Sequence, residues 1–229
     1  MATILQIETA TQVCSVAISV NGETIALKEE TAQNIHASSL TLFIEDVMKS
    51  ASLKFTDLDA IAVSKGPGSY TGLRIGVSTA KGLCFALDKP LIAINTLQMM
   101  ANGFLSQHPN YGGLICPMID ARRMEVFTAV YDNHLHQVET VNAKIVDEKS
   151  FILELDSNYL TFIGDGAAKC APVLMHQNAH FSNENFNSAV NMSKLANAAF
   201  ENENFEDVAY FEPFYLKDFV FTTPRKKVL

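Results

Sequence analysis

The sequence predicts an α/β fold in which one strand-rich unit is used twice, on three observations. Over residues 1–95 the chain alternates in the order βββαβαβ. A glycine loop, Gly66-Pro67-Gly68-Ser69-Tyr70-Thr71-Gly72, leads an apolar strand into a helix. A second apolar strand ending in a carboxylate, Ile115 to Asp120, echoes Ile4 to Glu8, and each carboxylate lies thirteen positions before a turn asparagine, Asn133 and Asn21.

The elements of the first unit follow in order. Thr3 to Ile7 is a buried strand, and Cys14 to Val20 alternates as a second with Val16, Ile18 and Val20 on one face. Asn21-Gly22 is the preferred two-residue hairpin turn, so Glu23 to Glu30 returns antiparallel. His36 to Ala51 is an amphipathic helix, with Leu40, Phe43, Ile44, Val47, Met48 and Ala51 in one stripe. Ala60 to Val63 is a short apolar strand. In the loop after it, Gly66 and Gly68 permit backbone conformations closed to other residues, and Pro67 stiffens the turn. From Leu73, apolar or small residues at 73, 76, 77, 80, 83, 84 and 87 recur at helical spacing, and the helix ends near Asp88 because Pro90 cannot continue it. Leu91 to Asn95 closes the unit as a buried strand.

A unit of this order is ribonuclease H-like. Val126 to Tyr131 takes the place of its second strand in the other half. Duplication of the unit gives an actin-like (ASKHA) α/β architecture with two subdomains, 1–106 and 107–229, the last segment returning to the first. Strand-turn-strand patterns also recur by chance, so duplication and coincidence both stay open on this echo alone. Residues 176–204 are rich in asparagine and break the pattern, with one short helical stretch near Met192 to Phe200.

Composition narrows the class. With 229 residues and 48% hydrophobic content the chain can bury a real core, which excludes disorder and collagen-like structure. No apolar run approaches the roughly 18 residues of a membrane span, and the N-terminus enters a strand without a basic leader, so the expected location is the cytoplasm, with no membrane partner. Cys14, Cys84, Cys116 and Cys170 form no CxxC pair, which suits a reducing compartment. A net charge of −8 argues against a strong autonomous nucleic-acid binder. The basic run Pro224-Arg225-Lys226-Lys227 is either a solvated tail or a contact for RNA or a partner.

Candidate chemistry is sparse. Gly68 and Ser69 open a helix whose first N–H groups can hold an anion, or the glycines only make a tight turn. The loop lacks the Gly-Lys-Ser/Thr ending of a P-loop, and Thr71 replaces the last glycine of a dinucleotide fingerprint. Asp120, Arg122 and Arg123 form either an ion pair that fixes a turn or a site where an arginine meets an anion across an interdomain cleft. His176 and His180 are four apart without an acidic or cysteine partner, and no Ser-His-Asp or Cys-His set can be assembled.

The glycine loop extended through Leu73-Arg74-Ile75-Gly76, the opening strand Leu5-Gln6-Ile7-Glu8-Thr9, Asp120-Ala121-Arg122 with Glu125-Val126-Phe127, and Glu212-Pro213-Phe214-Tyr215-Leu216 together resemble the TsaB (YeaZ) family nearly end to end. The resemblance implies a non-catalytic paralogue of TsaD, a scaffold in threonylcarbamoylation of the adenosine beside the tRNA anticodon. It implies a TsaD-like partner, a TsaE-like ATPase in the complex, tRNA reached through that complex, and a homodimer where TsaD is scarce. No cofactor of its own is implied, with ATP or ADP acting in the complex. TsaD-like proteins carry a metal-binding His-x-x-x-His where this chain has Thr96 and Met100, so no metal site is expected. In actin-like nucleotide enzymes a carboxylate at the position of Glu8, beside Thr9, helps hold hydrated magnesium. Here Glu replaces the usual Asp, and a turn carboxylate is the alternative role. TsaB-like proteins pair with TsaD through helices corresponding to 36–51 and 72–87. This places His36, Leu40, Phe43 and the small strip Gly72, Gly76 and Ala80, flanked by Leu73, Val77 and Leu83, at the interface, unless the strip packs on its own sheet. The rival functions are an autonomous actin-like ATPase or small-molecule kinase, for which Gly164-Asp165-Gly166 is a weak second motif, and a glycoprotease-type metallopeptidase.

Overall fold

The computed structural model describes residues 1–217, so the basic run at 224–227 lies outside the described residues. Two five-stranded sheets are built. The first has the order β3-β2-β1-β4-β5, from β1 (Thr3–Glu8), β2 (Val13–Val20), β3 (Glu23–Thr31), β4 (Ala60–Gly66) and β5 (Leu91–Asn95). β1 pairs antiparallel with β2 and parallel with β4. The second comprises β6 (Leu114–Asp120), β7 (Glu125–Tyr131), β8 (Gln137–Ile145), β9 (Leu160–Ile163) and β10 (Ala179–Phe181), in the order β10-β9-β6-β7-β8. β6 pairs antiparallel with β7 and parallel with β9, so the two sheets repeat one topology. The expected duplication of one strand-rich unit is met at the level of sheet topology.

Local chemistry explains the first sheet. Asn21 and Gly22 both take positive φ, 51° and 81°, as a tight turn between twisted strands requires. β1 is buried on both faces because both are covered. Leu5 and Ile7 pack with α1 (His36–Ser50) and α2 (Tyr70–Leu87), while Ile4 joins a second core on the opposite face. That second core is shared: Ile4, Ala62 and Ile92 of one sheet meet Ile115, Ile119 and Ile163 of the other around α3 (Thr96–Gln107). The lobes are thus joined by a common apolar layer rather than by a linker.

α2 begins at Tyr70, three residues before the apolar periodicity at Leu73, because Ser69 caps it: its Oγ accepts the Gly72 N–H at 3.2 Å. α3 was not legible as a helix. Its residues are buried nearly all round, which erases an amphipathic period, although Asn95 Oδ1 caps it by accepting from Leu97 N at 2.9 Å and Gln98 N at 3.1 Å. The asparagine-rich stretch supplies β10 and then α6 (Ser193–Glu201), which follows α4 (Ile152–Ser157) and α5 (Ala167–Cys170). Ala196 of α6 is in the shared core, and the Glu206 N–H donates to Leu91 O at 2.9 Å, bringing the chain back to the first sheet. Among the described residues no helix is long and apolar enough to cross a membrane.

Candidate functional site

A cleft of about 680 Å³ separates the lobes beside the start of α2. Ala10, Thr11, His36, Gly68, Ser69 and Tyr70 line one wall, and Asp120, Arg122, Phe127 and Asp165 the other. The loop glycines are needed on the side turned away from this space. A Cβ on Gly68 would collide with Ala10 O, one on Gly72 with Thr9 O, and one on Gly76 with Thr9 Oγ1. The motif therefore lets α2 sit directly on the turn after β1, and Ser69 N–H donates to Ala10 O at 2.6 Å.

Glu8 and Thr9, expected near any phosphate, are fully buried in that turn and do not line the cleft. Glu8 Oε1 accepts the Ala10 N–H at 2.5 Å, and Oε2 is buried without a hydrogen-bond partner. Burial pushes the Glu8 carboxyl up to about 7, against the opposing pull of the Ala10 N–H and the Ser64 hydroxyl. Of the set Glu8, Thr9, Gly68, Ser69 and Arg122, the last three line the open cleft, while Glu8 and Thr9 are sealed behind it, so the carboxylate does not face the same space as the loop and the arginine. Ser69 and Arg122 of this set are exposed on facing walls of the cleft, Arg122 with φ +72°.

The turn opposite is fixed differently from the expected guanidinium pair. Asp120 Oδ1 accepts the backbone N–H of Arg122 at 2.7 Å and pairs with the Lys169 ammonium. Burial opposes its ionisation, but Lys169 and the Arg122 N–H outweigh this and hold its carboxyl below the usual range. Asp165 accepts the Asp120 N–H at 2.9 Å, and burial raises its carboxyl.

The partner face needs correction. Gly72, Leu73, Gly76, Val77 and Ala80 are all buried, as are His36, Leu40 and Phe43, and Leu83 is half-buried against the same core. The strip packs on its own lobe because the residue after β1 offers a backbone oxygen where side chains would not fit. His36 is a helix-entry anchor: its Nε2 donates to Thr11 O at 2.8 Å. The outward face of α2 carries another small strip, Ser78, Gly82 and Ala86, beside Phe85, which is 86% exposed. On α1 the corresponding apolar residue is Leu42, 56% exposed. Apolar side chains on the water side of an amphipathic helix were there to be noticed in the sequence.

Thr96 and Met100 lie at 0% exposure in the shared core, where Met100 Cε stands against Gly164. His176 and His180 do not share a helix face. His176 Nδ1 accepts the Asn178 N–H at 3.2 Å in a turn, and His180 lies on β10 with its ring near Tyr159. Among the described residues no cluster of three or more His, Cys, Asp or Glu is placed to hold a metal.

Residues 25–228 match the family model described as TsaD, tRNA N6-adenosine threonylcarbamoyltransferase. The chain is 34% identical over 170 residues to the tRNA threonylcarbamoyladenosine biosynthesis protein TsaB of Escherichia coli (strain K12), covering 71% of each chain. It is 27% identical over 225 residues to the protein of the same name from Haemophilus influenzae, covering 94% of each. The solved structure of YeaZ from Pseudomonas aeruginosa superposes with a TM-score of 0.83 at 25% identity, over 94% of this chain and 100% of that one.

Proposed function

Because the chain belongs to the TsaB family of tRNA threonylcarbamoyladenosine biosynthesis proteins, a group within the TsaD family, we propose that it is a non-catalytic scaffold subunit. In this reading it binds a TsaD-like protein and so enables threonylcarbamoylation of the adenosine beside the tRNA anticodon. Its two halves are copies of one ribonuclease H-like unit, divided near residue 106. It works in the cytoplasm, and ATP or ADP acts in the assembled complex with a TsaE-like ATPase rather than on this subunit.

The observation that carries the docking surface is Gly82. A Cβ there would meet nothing within 4 Å, so nothing inside the described chain requires a glycine in the middle of α2. An exposed helix glycine costs about 1 kcal/mol relative to alanine. Close approach by another helix along Ser78, Gly82 and Ala86, with Phe85 as its apolar anchor, gives that cost a purpose. The non-catalytic reading is supported by the buried Glu8 and by Thr96 and Met100 packed into the shared core. The same features weigh against the kinase and metallopeptidase alternatives.

Reconstitution tests the function. A TsaD-like protein with tRNA, ATP and the threonylcarbamoyl donor system is expected to modify tRNA only when this chain is added, and this chain alone is expected to give no product. Turnover by this chain without the TsaD-like protein would overturn the scaffold reading.

A further inference from the structure

After α6 the chain does not simply end on the first lobe. Val208 and Phe211 pack on the first-lobe core, and Lys81 of α2 donates to Ala209 O and Phe211 O at 3.2 and 2.9 Å. The Phe214 N–H then donates to Lys65 O at 2.7 Å, and Phe214 O occupies the space a Cβ on Gly66 would need, 2.7 Å away. Gly66, with φ +110°, is the one glycine of the loop motif that receives this segment rather than the turn after β1. Tyr215 lies 4.9 Å, ring to ring, from Tyr70 at the start of α2. Two residues later Lys217 crosses to the other sheet and pairs with the Glu125 carboxylate at the start of β7.

Glu125 closes the turn that carries Asp120 and Arg122 into the cleft. Its carbonyl accepts the Ala121 N–H at 3.1 Å and the Lys169 ammonium at 2.7 Å. The shared apolar layer joins the lobes around α3, and the strap is a separate tie at this turn. Its two ends differ in kind. The first-lobe end is held by half-buried apolar groups, Val208 and Phe211, and by backbone hydrogen bonds, whereas the crossing is an ion pair whose side chains keep 44% and 21% of their exposure. Such a pair is weak and screened by salt.

We propose that residues 206–217 form an interlobe latch, with Lys217–Glu125 as its releasable end, which holds the Asp120–Glu125 turn against the first lobe and sets the width of the cleft. The test uses the full chain without any partner, so its outcome is independent of the scaffold reading. Hydrogen exchange would be followed in 119–125 and 67–72 for the wild type, Lys217→Glu, Glu125→Lys and the double charge swap, at low and high salt. Exchange in 119–125 is expected to rise about two- to fivefold in each single variant, to return toward wild type in the swap, and to become equal in all four at high salt. Melting temperatures, expected to be nearly unchanged, show that the variants fold. Single variants that exchange like the wild type at low salt, or a swap that restores nothing, would overturn the latch.

Discussion

Replacing Glu8 by Gln removes one buried titration while keeping an acceptor for the Ala10 N–H. The carboxyl moves from an ordinary 4.5 to about 7 on folding, chiefly through burial. Below 4.5 both folded and unfolded chains hold the proton, so Glu8 adds no slope. Between 4.5 and about 7 the folded chain keeps the proton and the unfolded chain loses it, so stability falls as pH rises through that window. Above it both states are ionised and the loss is complete, at about 3 kcal/mol, since each tenfold difference in proton affinity between the two states is worth about 1.36 kcal/mol. This is a large share of the roughly 5–15 kcal/mol that holds a domain folded. Urea unfolding of wild type and Glu8→Gln across the window reads the effect as a difference. The two are expected to be nearly equal at about pH 4.5, with the variant more stable by up to about 3 kcal/mol at about pH 8. A difference that does not change with pH would show that Glu8 does not titrate there, and with it would fall the claim that this carboxyl is sealed from the cleft.

The packing of the glycine motif predicts a specific coupling. Gly76→Ala is expected to destabilise by about 1–3 kcal/mol through Thr9 Oγ1 and to be relieved in a Thr9→Ala background. Gly72→Ala, which meets the Thr9 carbonyl instead, is expected to gain no such relief, and equal behaviour of the two in both backgrounds would refute the contacts. Introducing the histidine pair at Thr96 and Met100 places imidazoles in an apolar core and is expected to lower stability by about 2 kcal/mol or more. Recovery of the melting temperature on adding stoichiometric zinc would show instead that a metal centre can form there.

The first half of the chain was legible because its signals are local. Asn21-Gly22 specifies its own turn, and the α1 stripe from Leu40 to Met48 is the face the structure buries. Periodicity also revealed α2 but not what covers it. Gly72, Gly76 and Ala80 share a face with Leu73 and Val77, and the two glycines meet residue 9, far away in sequence, through its carbonyl and its hydroxyl. α3 was lost because a helix enclosed by both lobes has no polar side to reveal its period. β9 and β10, four and three residues long, are too short to alternate, so only β6 and β7 betrayed the repeat. At the site, the glycine loop was visible while its inward use was not, because burial of Glu8 depends on α2, β4 and the 9–10 turn meeting in space.

The central claim, a scaffold that presents the outer face of α2 to a TsaD-like protein, is tested most directly by the affinity of that protein for Phe85→Asp. Phe85 is 86% exposed, so the isolated variant is expected to keep its melting temperature. Losing the burial of one phenylalanine, worth about 1.5–3 kcal/mol, is expected to weaken the complex about ten- to hundredfold by calorimetry. A folded Phe85→Asp chain that binds the TsaD-like protein with wild-type affinity would place the interface elsewhere and contradict the account.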